Sequence, residues 1–493
     1  MSPAFERPLF DRFAHIANAY PHHIALIFKE ERITYSSLLV RVNDKANALQ
    51  ATWGLASGAR IPYVGLNDPE QIVTLLACAK VRAIFLPINY RLVEAEIAQI
   101  RNDAGVHHPL PNPSPIKGEG EIDSLSSRGR GLGRGGAPCL LVYTSGTTGE
   151  PKGALHTQAA LLANARAAWA AHDMTANDVV LSTLPLFHVG GLCIQTLPAL
   201  LLGATVLLHE RFDADAWLGA VQSHRPTLSL VVPATMKAIQ SAPSWTSTVL
   251  SSLRGVMAGS STIPRHLIEA FHTRGIPVGQ IYGTTETGPV SAVLPFGKAI
   301  SHAGYAGWPH ADCVIELHNK NEQGIGEVCI QANNLMAGYW NANNGGRVRE
   351  RSESDLTPIG LDSNNFFNTG DLGQFQADGC LEIVGRSKDM LISGGENIYP
   401  AEIENALLAH PDVEECAVIG ELDNQWGEIP VAYVVLKIPQ NNGSQAILDM
   451  ALQAFLLERI AKFKLPKRFV FMKTLPKSAL GKVLKAALKI DNK

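Results

Sequence analysis

Segments with strand and helix periodicity alternate along most of this chain, and this alternation restricts its fold more than any other feature. Residues 35–54 place apolar side chains on one helical stripe and end at Gly54, which indicates a helix. The apolar segments 60–66 and 83–88 indicate strands, and residues 69–81 between them indicate a second helix. Strands and helices in turn favour α/β layers around a largely parallel sheet.

Length, charge and cysteine usage exclude several classes of protein. A chain of 493 residues predicts more than one domain, and a net charge of −3 without a long basic block gives no footprint for nucleic acid. The seven cysteines are scattered and form no C-x-x-C pair, which favours a reducing compartment. The N-terminus has no secretory signal pattern, and the longest apolar run, from Leu197, is too short to span a bilayer. We therefore expect a cytoplasmic protein with no transmembrane segment.

Residues 107–136 interrupt the α/β pattern. They are rich in Pro, Gly, Ser and Arg and contain almost no apolar side chains. Such a segment cannot bury enough surface to offset the entropy of ordering it, so we expect a disordered surface loop inserted into the first domain. An arginine-rich arm that binds anions is the alternative interpretation.

The character of the sequence changes again near residue 370. Asp378-Gly379 lies between two alternating apolar segments, which predicts a β-hairpin. After Arg386 the order helix, two strands, helix, strand, helix predicts a small α+β domain, whose first helix starts at Pro400. We place the domain boundary between residues 1–386 and 387–493, with a hinge near Lys388.

The segment VYTSGTTGEPKGA, residues 142–154, combines three glycines and four hydroxyl residues with Lys152. Glycines let backbone N–H groups turn toward an anion, and hydroxyls and a lysine add donors. The composition therefore predicts a loop that holds phosphate, although its spacing is not that of the ordinary P-loop. A flexible turn after a strand is the alternative.

Five segments occur in an order and spacing that resemble the adenylate-forming acyl-CoA synthetase superfamily. They are YTSGTTGEPKG at 143–153, YGTTE at 282–286, TGD at 369–371, GRSKDMLISGGENIYPAEIE at 385–404 and PKSALGK at 476–482. The resemblance implies a large N-terminal domain of layered α/β subdomains and a small C-terminal α+β domain joined by a hinge. It also implies a two-step reaction: a carboxylic acid attacks ATP in the presence of Mg²⁺ to give an acyl-adenylate, and the thiol of coenzyme A then displaces AMP.

The resemblance also implies roles for individual residues. Lys152 and the loop residues Thr144, Ser145, Gly146, Thr147, Thr148 and Gly149 match the segment over the β- and γ-phosphates. Glu286 matches the Mg²⁺ carboxylate and Thr285 the contact to the α-phosphate, with Gly283 and Thr284 in the same segment. Tyr282 matches the residue that stacks on adenine, and Gly259, Ser260 and Ser261 line its other side.

The remaining matches lie on either side of the predicted hinge. Asp371 matches the carboxylate that takes both ribose hydroxyls, and Arg386 its ribose or phosphate partner. Lys482 matches the lysine that assists adenylation, although a lysine near a chain end is more often a solvated charge. Lys388 matches the hinge residue, and Gly394 and Gly395 match the pantetheine path.

His188, in LPLFHVGGL, matches a histidine beside the acyl and thiol tunnels, and a packed histidine at a helix start is the alternative. Amino-acid-activating relatives carry an aspartate in this segment, and its absence here favours an acid without an amino group. We expect a medium- or long-chain fatty acid, with o-succinylbenzoate or another aryl acid as the alternative. The sequence leaves open a homodimer, and also a non-catalytic nucleotide-binding remnant, because the insertion at 107–136 stands where the family has a further strand and helix.

Overall fold

The computed structural model describes residues 8–53, 58–106, 136–145, 151–259, 263–340, 361–393, 396–423, 426–438, 445–477 and 481–488. The chain divides into two compact units. The first comprises residues 1–260, 271–315 and 330–367, and the second comprises residues 261–270, 316–329 and 368–493.

Helices and strands alternate over most of the described residues. The helices are α1 Leu9–Ala19, α2 Tyr35–Trp53, α3 Pro69–Val81, α4 Glu94–Asp103, α5 Gln158–His172, α6 Val189–Gly191, α7 Leu197–Leu202, α8 Ala214–His224, α9 Pro233–Ser241, α10 Arg265–Thr273, α11 Pro400–Leu408, α12 Gln445–Leu457 and α13 Lys485–Leu488. The strands are β1 Ile24–Phe28, β2 Glu31–Thr34, β3 Arg60–Val64, β4 Ile84–Ile88, β5 Pro138–Ser145, β6 Pro151–Thr157, β7 Val179–Ser182, β8 Thr205–Leu208, β9 Leu228–Val231, β10 Gly255–Ala258, β11 Val278–Tyr282, β12 Ala292–Leu294, β13 Trp308–Pro309, β14 Cys313–His318, β15 Gly326–Ala332, β16 Gly338–Tyr339, β17 Phe367–Phe375, β18 Leu381–Arg386, β19 Leu391–Ser393, β20 Glu396–Ile398, β21 Val413–Asp423, β22 Gly427–Leu436 and β23 Arg468–Phe471.

A nine-stranded sheet forms the centre of the first unit, in the order β13-β12-β11-β10-β9-β7-β8-β1-β2. The pairings from β11 to β1 are all parallel, and the antiparallel pairings lie at the two ends of the sheet. The prediction of a largely parallel sheet is confirmed. Its parallel strands are almost wholly apolar, as expected of strands that helices cover on both faces.

A second sheet of the first unit has the order β16-β6-β5-β4-β3. Strands β3, β4 and β5 run parallel, and β6 pairs antiparallel with both β5 and β16. Strands β4 and β5 are neighbours in this sheet although the predicted insertion separates them in sequence. Residues 107–135 of that insertion lie outside the described residues, so its disorder stays a prediction.

Local chemistry explains where the helices predicted between the strands begin. Asp68 caps α3 by accepting a hydrogen bond from the backbone N–H of Glu70, and Pro69 stands at the first helical position. Thr157 caps α5 in the same way, through the backbone N–H of Ala160. The helix predicted over residues 35–54 is present as α2.

The second unit contains the predicted small α+β arrangement. Strands β21, β22, β19 and β20 form one sheet, β23 adds to β22 in parallel, and helices α11 and α12 pack on a shared apolar core. The hairpin predicted at Asp378-Gly379 joins β17 to β18, and Gly379 has φ of +79°. Strands β14, β15, β17 and β18 form the remaining sheet.

The last division between the compact units along the chain falls after residue 367, whereas the sequence places the domain boundary at residue 386. The boundary at residue 386 marks where we expect the C-terminal segment to move about the hinge, and it stays a prediction. None of the helices among the described residues is long and apolar enough to cross a membrane.

His172, at the end of α5, gives the stability of the first unit a pH dependence. Burial lowers the pKa of His172 to about 4, although its Nδ1 lies 2.6 Å from the carbonyl oxygen of Ala168. The unfolded chain therefore binds a proton that the folded chain excludes between about pH 6.5 and pH 4. The stabilisation is complete above this window and is lost as the pH falls through it.

We expect His172→Gln to remove this dependence. The free energy of unfolding of the wild type should fall by up to about 3 kcal/mol more than that of the variant between about pH 7 and about pH 4. Urea unfolding of both proteins across this range measures the difference. Parallel pH profiles would contradict the assignment.

Candidate active site

The predicted phosphate loop joins two antiparallel strands. Ser145 at the end of β5 pairs with Pro151 at the start of β6, and the hydroxyl of Thr144 donates to the carbonyl oxygen of Lys152 over 3.4 Å. Lys152 itself is exposed. The loop residues between the strands, Gly146, Thr147, Thr148 and Gly149, and the side chain of Ser145 lie outside the described residues.

The predicted metal and α-phosphate segment leaves the carboxyl end of β11. An added Cβ at Gly283 would lie 1.9 Å from the carbonyl oxygen of Pro289, so the turn requires glycine there. The hydroxyl of Thr287 accepts from the backbone N–H of Thr284 over 2.9 Å and fixes the turn. The buried hydroxyl of Thr284 has no hydrogen-bond partner within the described part of the chain, which suits a group that contacts a ligand.

Glu286 is held by a residue that the sequence did not single out. The hydroxyl of Tyr339 donates to Oε1 of Glu286 over 2.7 Å, and burial, reinforced by the charge of Glu286, raises the pKa of Tyr339. Tyr339 lies on β16, which pairs with β6, and its ring centre is 5.6 Å from Nζ of Lys152. The structure therefore brings both Lys152 and Glu286 close to one tyrosine.

His156 is a second residue of this site that sequence reasoning missed. It lies on β6 with 1% of its surface exposed, next to the Thr285 carbonyl and the Glu286 carboxylate. Burial lowers its pKa to about 4 although both neighbours favour the charged ring, so His156 is neutral at pH 7. An uncharged imidazole leaves the negative charge of Glu286 available to a cation.

Several predicted residues share one edge of the nine-stranded sheet. Gly259 follows β10 and Tyr282 ends β11, and an added Cβ at Gly259 would lie 2.7 Å from the carbonyl oxygen of Ile281. Because β10 and β11 are parallel, both residues lie at their carboxyl ends, where open α/β sheets bind ligands. Ser260 and Ser261 lie outside the described residues.

His188 caps the short helix α6, and its Nδ1 accepts from the backbone N–H of Gly190 over 3.0 Å. Asn67 fixes the segment that leads to it: its amide donates to the carbonyls of Leu184 and His209 and accepts from the N–H of Leu186. Asn67 stands in a loop more than a hundred positions earlier, and no sequence signal indicated this role.

The second unit contains a separate set of predicted site residues. Asp371 on β17 faces Arg386 on β18, and Nε of Arg386 lies 2.8 Å from Oδ1 of Asp371, which is buried. Partial burial lowers the pKa of Lys482, although the residue as a whole is exposed; the charge of Arg386 lowers this pKa further, and Asp371 opposes the shift. Lys482 therefore lies within electrostatic reach of both residues. Lys388 stands exposed in the turn after β18, and Gly394 and Gly395 lie outside the described residues.

Gly283 offers a direct test of the turn that presents Thr284 and Glu286. We expect Gly283→Ala to lower the free energy of unfolding by about 1–3 kcal/mol, because the new methyl group overlaps the carbonyl of Pro289. Gly297→Ala is the control, since a Cβ there meets no atom within 4 Å. Equal urea midpoints for the two variants would show that the turn tolerates a side chain.

Sequence models of two families match this chain. The AMP-binding enzyme model matches residues 13–129 and 133–340, and the model of the AMP-binding enzyme C-terminal domain matches residues 402–482. Two similar curated proteins are an indoleacetate–CoA ligase of Aromatoleum aromaticum, 40% identical over 95% of both chains, and a feruloyl-CoA synthase of Amycolatopsis, 36% identical over 96% of both. A long-chain-fatty-acid–CoA ligase of Mycobacterium tuberculosis is 32% identical over 93% of both chains.

Solved structures agree with these matches. The o-succinylbenzoate CoA synthetase of Bacillus subtilis, in complex with its acyl-adenylate intermediate, superposes with a TM-score of 0.81 at 28% identity over 98% of both chains. The same enzyme in complex with ATP and magnesium ion superposes with a TM-score of 0.80.

Proposed function

Because this chain belongs to the AMP-binding enzyme family, we propose that it is an aryl-acid–CoA ligase. The coarser activity is established by its relatives: it is an AMP-forming acid–thiol ligase that uses ATP, Mg²⁺ and coenzyme A. The proposal concerns the class of carboxylic acid that the enzyme activates. The alternative of a non-catalytic remnant finds no support in a CoA ligase that matches over 95% of both chains.

The substrates for which the most similar of these relatives are named support the aryl assignment. The two at 40% and 36% identity are named for indoleacetate and ferulate, which are both aryl acids. The relative named for long-chain fatty acids is 32% identical. The sequence-based preference for a fatty acid is therefore unconfirmed, and the aryl alternative is favoured.

We assign the residues of the first unit to the triphosphate. The Lys152 ammonium and the hydroxyls of Thr144 and Thr285 would hold phosphate oxygens, and the unpartnered Thr284 hydroxyl supplies a further donor. Positioning and charge neutralisation are the main demands of an attack by a carboxylate on a phosphate. Tyr282 and Gly259 would border the adenine ring at the sheet edge.

Glu286 suits Mg²⁺ because this ion takes few protein carboxylates and completes its shell with phosphate oxygens and water. The described residues contain no group of three or more His, Cys, Asp or Glu side chains that could form an all-protein metal site. Bound Mg²⁺ would neutralise phosphate charge, and Tyr339 would orient the carboxylate that holds it.

We assign the residues of the second unit to the nucleoside and to the two steps of the reaction. Asp371 would accept the ribose hydroxyls while Arg386 holds it in place, and Lys482 would assist adenylation. The boundary between residues 1–386 and 387–493, the hinge at Lys388 and the pantetheine path at Gly394 and Gly395 belong to the same proposal. A cytoplasmic location and a homodimer also stay predictions.

Pyrophosphate exchange into ATP tests the proposal. The full-length protein is assayed with a panel of aryl, fatty, dicarboxylic and amino acids, and products are then checked for the CoA thioester. Exchange supported best by aryl acids is expected. Exchange with fatty acids alone would instead support the fatty acid that the sequence analysis expected. The absence of exchange with every acid would favour a non-catalytic protein.

A further inference from the structure

The turn that presents Glu286 is fixed by more than the hydroxyl of Tyr339. We call residues 283–290 the Glu286 turn. The backbone N–H of Met336 donates to the carbonyl oxygen of Glu286 over 2.8 Å, and the hydroxyl of Tyr339 donates to its carboxylate. The segment that leads into β16 therefore contacts both the backbone and the side chain of Glu286.

Asn334, in the same segment, holds the far end of the Glu286 turn. Its side-chain amide donates to the carbonyl oxygen of Val290 over 2.8 Å and lies 3.5 Å from Oδ1 of Asn164. Asn334 has no exposed surface, and an added Cβ at Gly288 would lie 2.4 Å from its carbonyl oxygen. The turn and the segment are therefore in direct contact, so water cannot readily take the place of the lost amide donor.

Asn164, on α5, connects the Glu286 turn to the interior of the first unit. Its Oδ1 accepts from the backbone N–H of Val290 over 3.2 Å, and its Nδ2 donates over 2.6 Å to the carbonyl oxygen of Cys193, between α6 and α7. Only 1% of Asn164 is exposed. The N–H of Val290 thus pairs with Asn164 and its carbonyl with Asn334. Because buried backbone groups need such partners, the position of Val290 depends on both side chains.

We propose that Asn334 and Asn164 are positioning residues that act on the metal site through Glu286. The two asparagines hold the backbone of the Glu286 turn while Tyr339 holds its carboxylate, so that the carboxylate faces a bound divalent cation in the required orientation. This inference rests on the proposed function, in which Glu286 binds Mg²⁺, and adds the residues that set the geometry of this ligand.

Mg²⁺ is sensitive to the position of a carboxylate because it requires nearly octahedral coordination and takes few ligands from the protein. Loss of a group that orients a metal ligand typically weakens metal binding by about 10–100-fold. Asn334 and Asn164 act through the backbone rather than on the carboxylate itself. We therefore expect an effect at or below the lower end of this range.

Leucine variants test the proposal, because leucine keeps the approximate shape of asparagine and removes its amide. Binding of Mn²⁺ with ATP, followed by electron paramagnetic resonance, should weaken by about three- to tenfold in Asn334→Leu and in Asn164→Leu. If a leucine variant does not fold, Asn334→Ser or Asn164→Ser is measured instead, since the smaller side chain leaves room for water. Unchanged binding by folded variants at both positions would overturn the proposal.

A second background separates positioning from a general loss of stability. In Glu286→Gln the carboxylate is already absent, so adding Asn334→Leu should change Mn²⁺–ATP binding by less than about twofold. Equal weakening in both backgrounds would overturn the proposal. Wild-type binding by Glu286→Gln alone would remove the metal role on which the inference rests. The absence of pyrophosphate exchange with every acid would instead refute the proposed function.

Gln158→Met is the matched control. Gln158 is a buried amide at the start of the same helix, α5, where it accepts from the N–H of Leu9 over 2.9 Å and donates to the carbonyl of Ala79 over 2.8 Å. Its loss should lower the urea midpoint but leave Mn²⁺–ATP binding unchanged, because neither partner belongs to the Glu286 turn. Weakening as large as that of Asn334→Leu would show that the effect is not specific to this turn and would contradict the inference.

Discussion

Replacing Lys482 with alanine is expected to slow acyl-adenylate formation by about 10²–10³-fold, the usual cost of removing a preorganised charge from a phosphate transition state. Lys482 lies within the field of Asp371 and Arg386, the pair that we assign to the ribose. The lysine is exposed, and its pKa nevertheless responds to the charges of this pair. Pyrophosphate exchange with the preferred acid measures this step alone.

The second half-reaction provides the internal control for Lys482. Thioester formation from acyl-adenylate supplied in place of ATP should change by less than about threefold, because no charge then develops on a triphosphate. Lys473→Ala, an exposed lysine in the same C-terminal region, should leave both steps unchanged. Equal losses in both half-reactions of Lys482→Ala would indicate damage to the fold. Unchanged exchange would remove the lysine from the mechanism.

Replacing Glu286 with glutamine is expected to reduce adenylation by a similar factor of about 10²–10³. The amide keeps the shape of the side chain and still accepts a hydrogen bond from Tyr339, but it lacks the charge that a divalent cation requires. We therefore expect the Mg²⁺ concentration for half-maximal exchange to rise sharply. Titration of exchange activity with Mg²⁺ measures this shift.

A direct binding measurement separates a metal role for Glu286 from a structural one. Binding of Mn²⁺ with ATP, followed by electron paramagnetic resonance, should weaken in Glu286→Gln, while the urea midpoint stays close to that of the wild type. Glu322→Gln replaces an exposed glutamate and should bind Mn²⁺–ATP normally. Wild-type Mn²⁺ binding by Glu286→Gln would contradict the assignment of this carboxylate.

Much of the fold could be predicted from the sequence because a helix or a turn leaves its pattern within one short segment. The stripe over residues 35–54 became α2, and Asp378-Gly379 became the turn between β17 and β18. Predicted boundaries were less accurate: the strand predicted over residues 60–66 ends at Val64. Strand ends depend on available pairing partners, which the segment itself does not encode.

The nucleotide motifs were also visible in the sequence. Each of them places glycine, hydroxyl and charged residues close together in one segment, so the pattern can be read without the fold. Tyr339 was not visible. It reaches Glu286 across 53 positions because β16 pairs with β6, and an aromatic residue after a glycine gives no indication of such a partner. The neutral state of His156 depends equally on burial, which is a property of the packed protein.

The sequence by itself determined the family and the alternation of elements, and it supplied the segments that we assign to phosphate, because these follow from periodicity and from residue types at close spacing. Only the tertiary structure decided that Tyr339 orients Glu286 and that His156 is buried beside it. Those relations depend on strand order and register, which bring together residues from separate elements. Their hydrogen bonding, or the lack of it, is fixed only when the core closes around them.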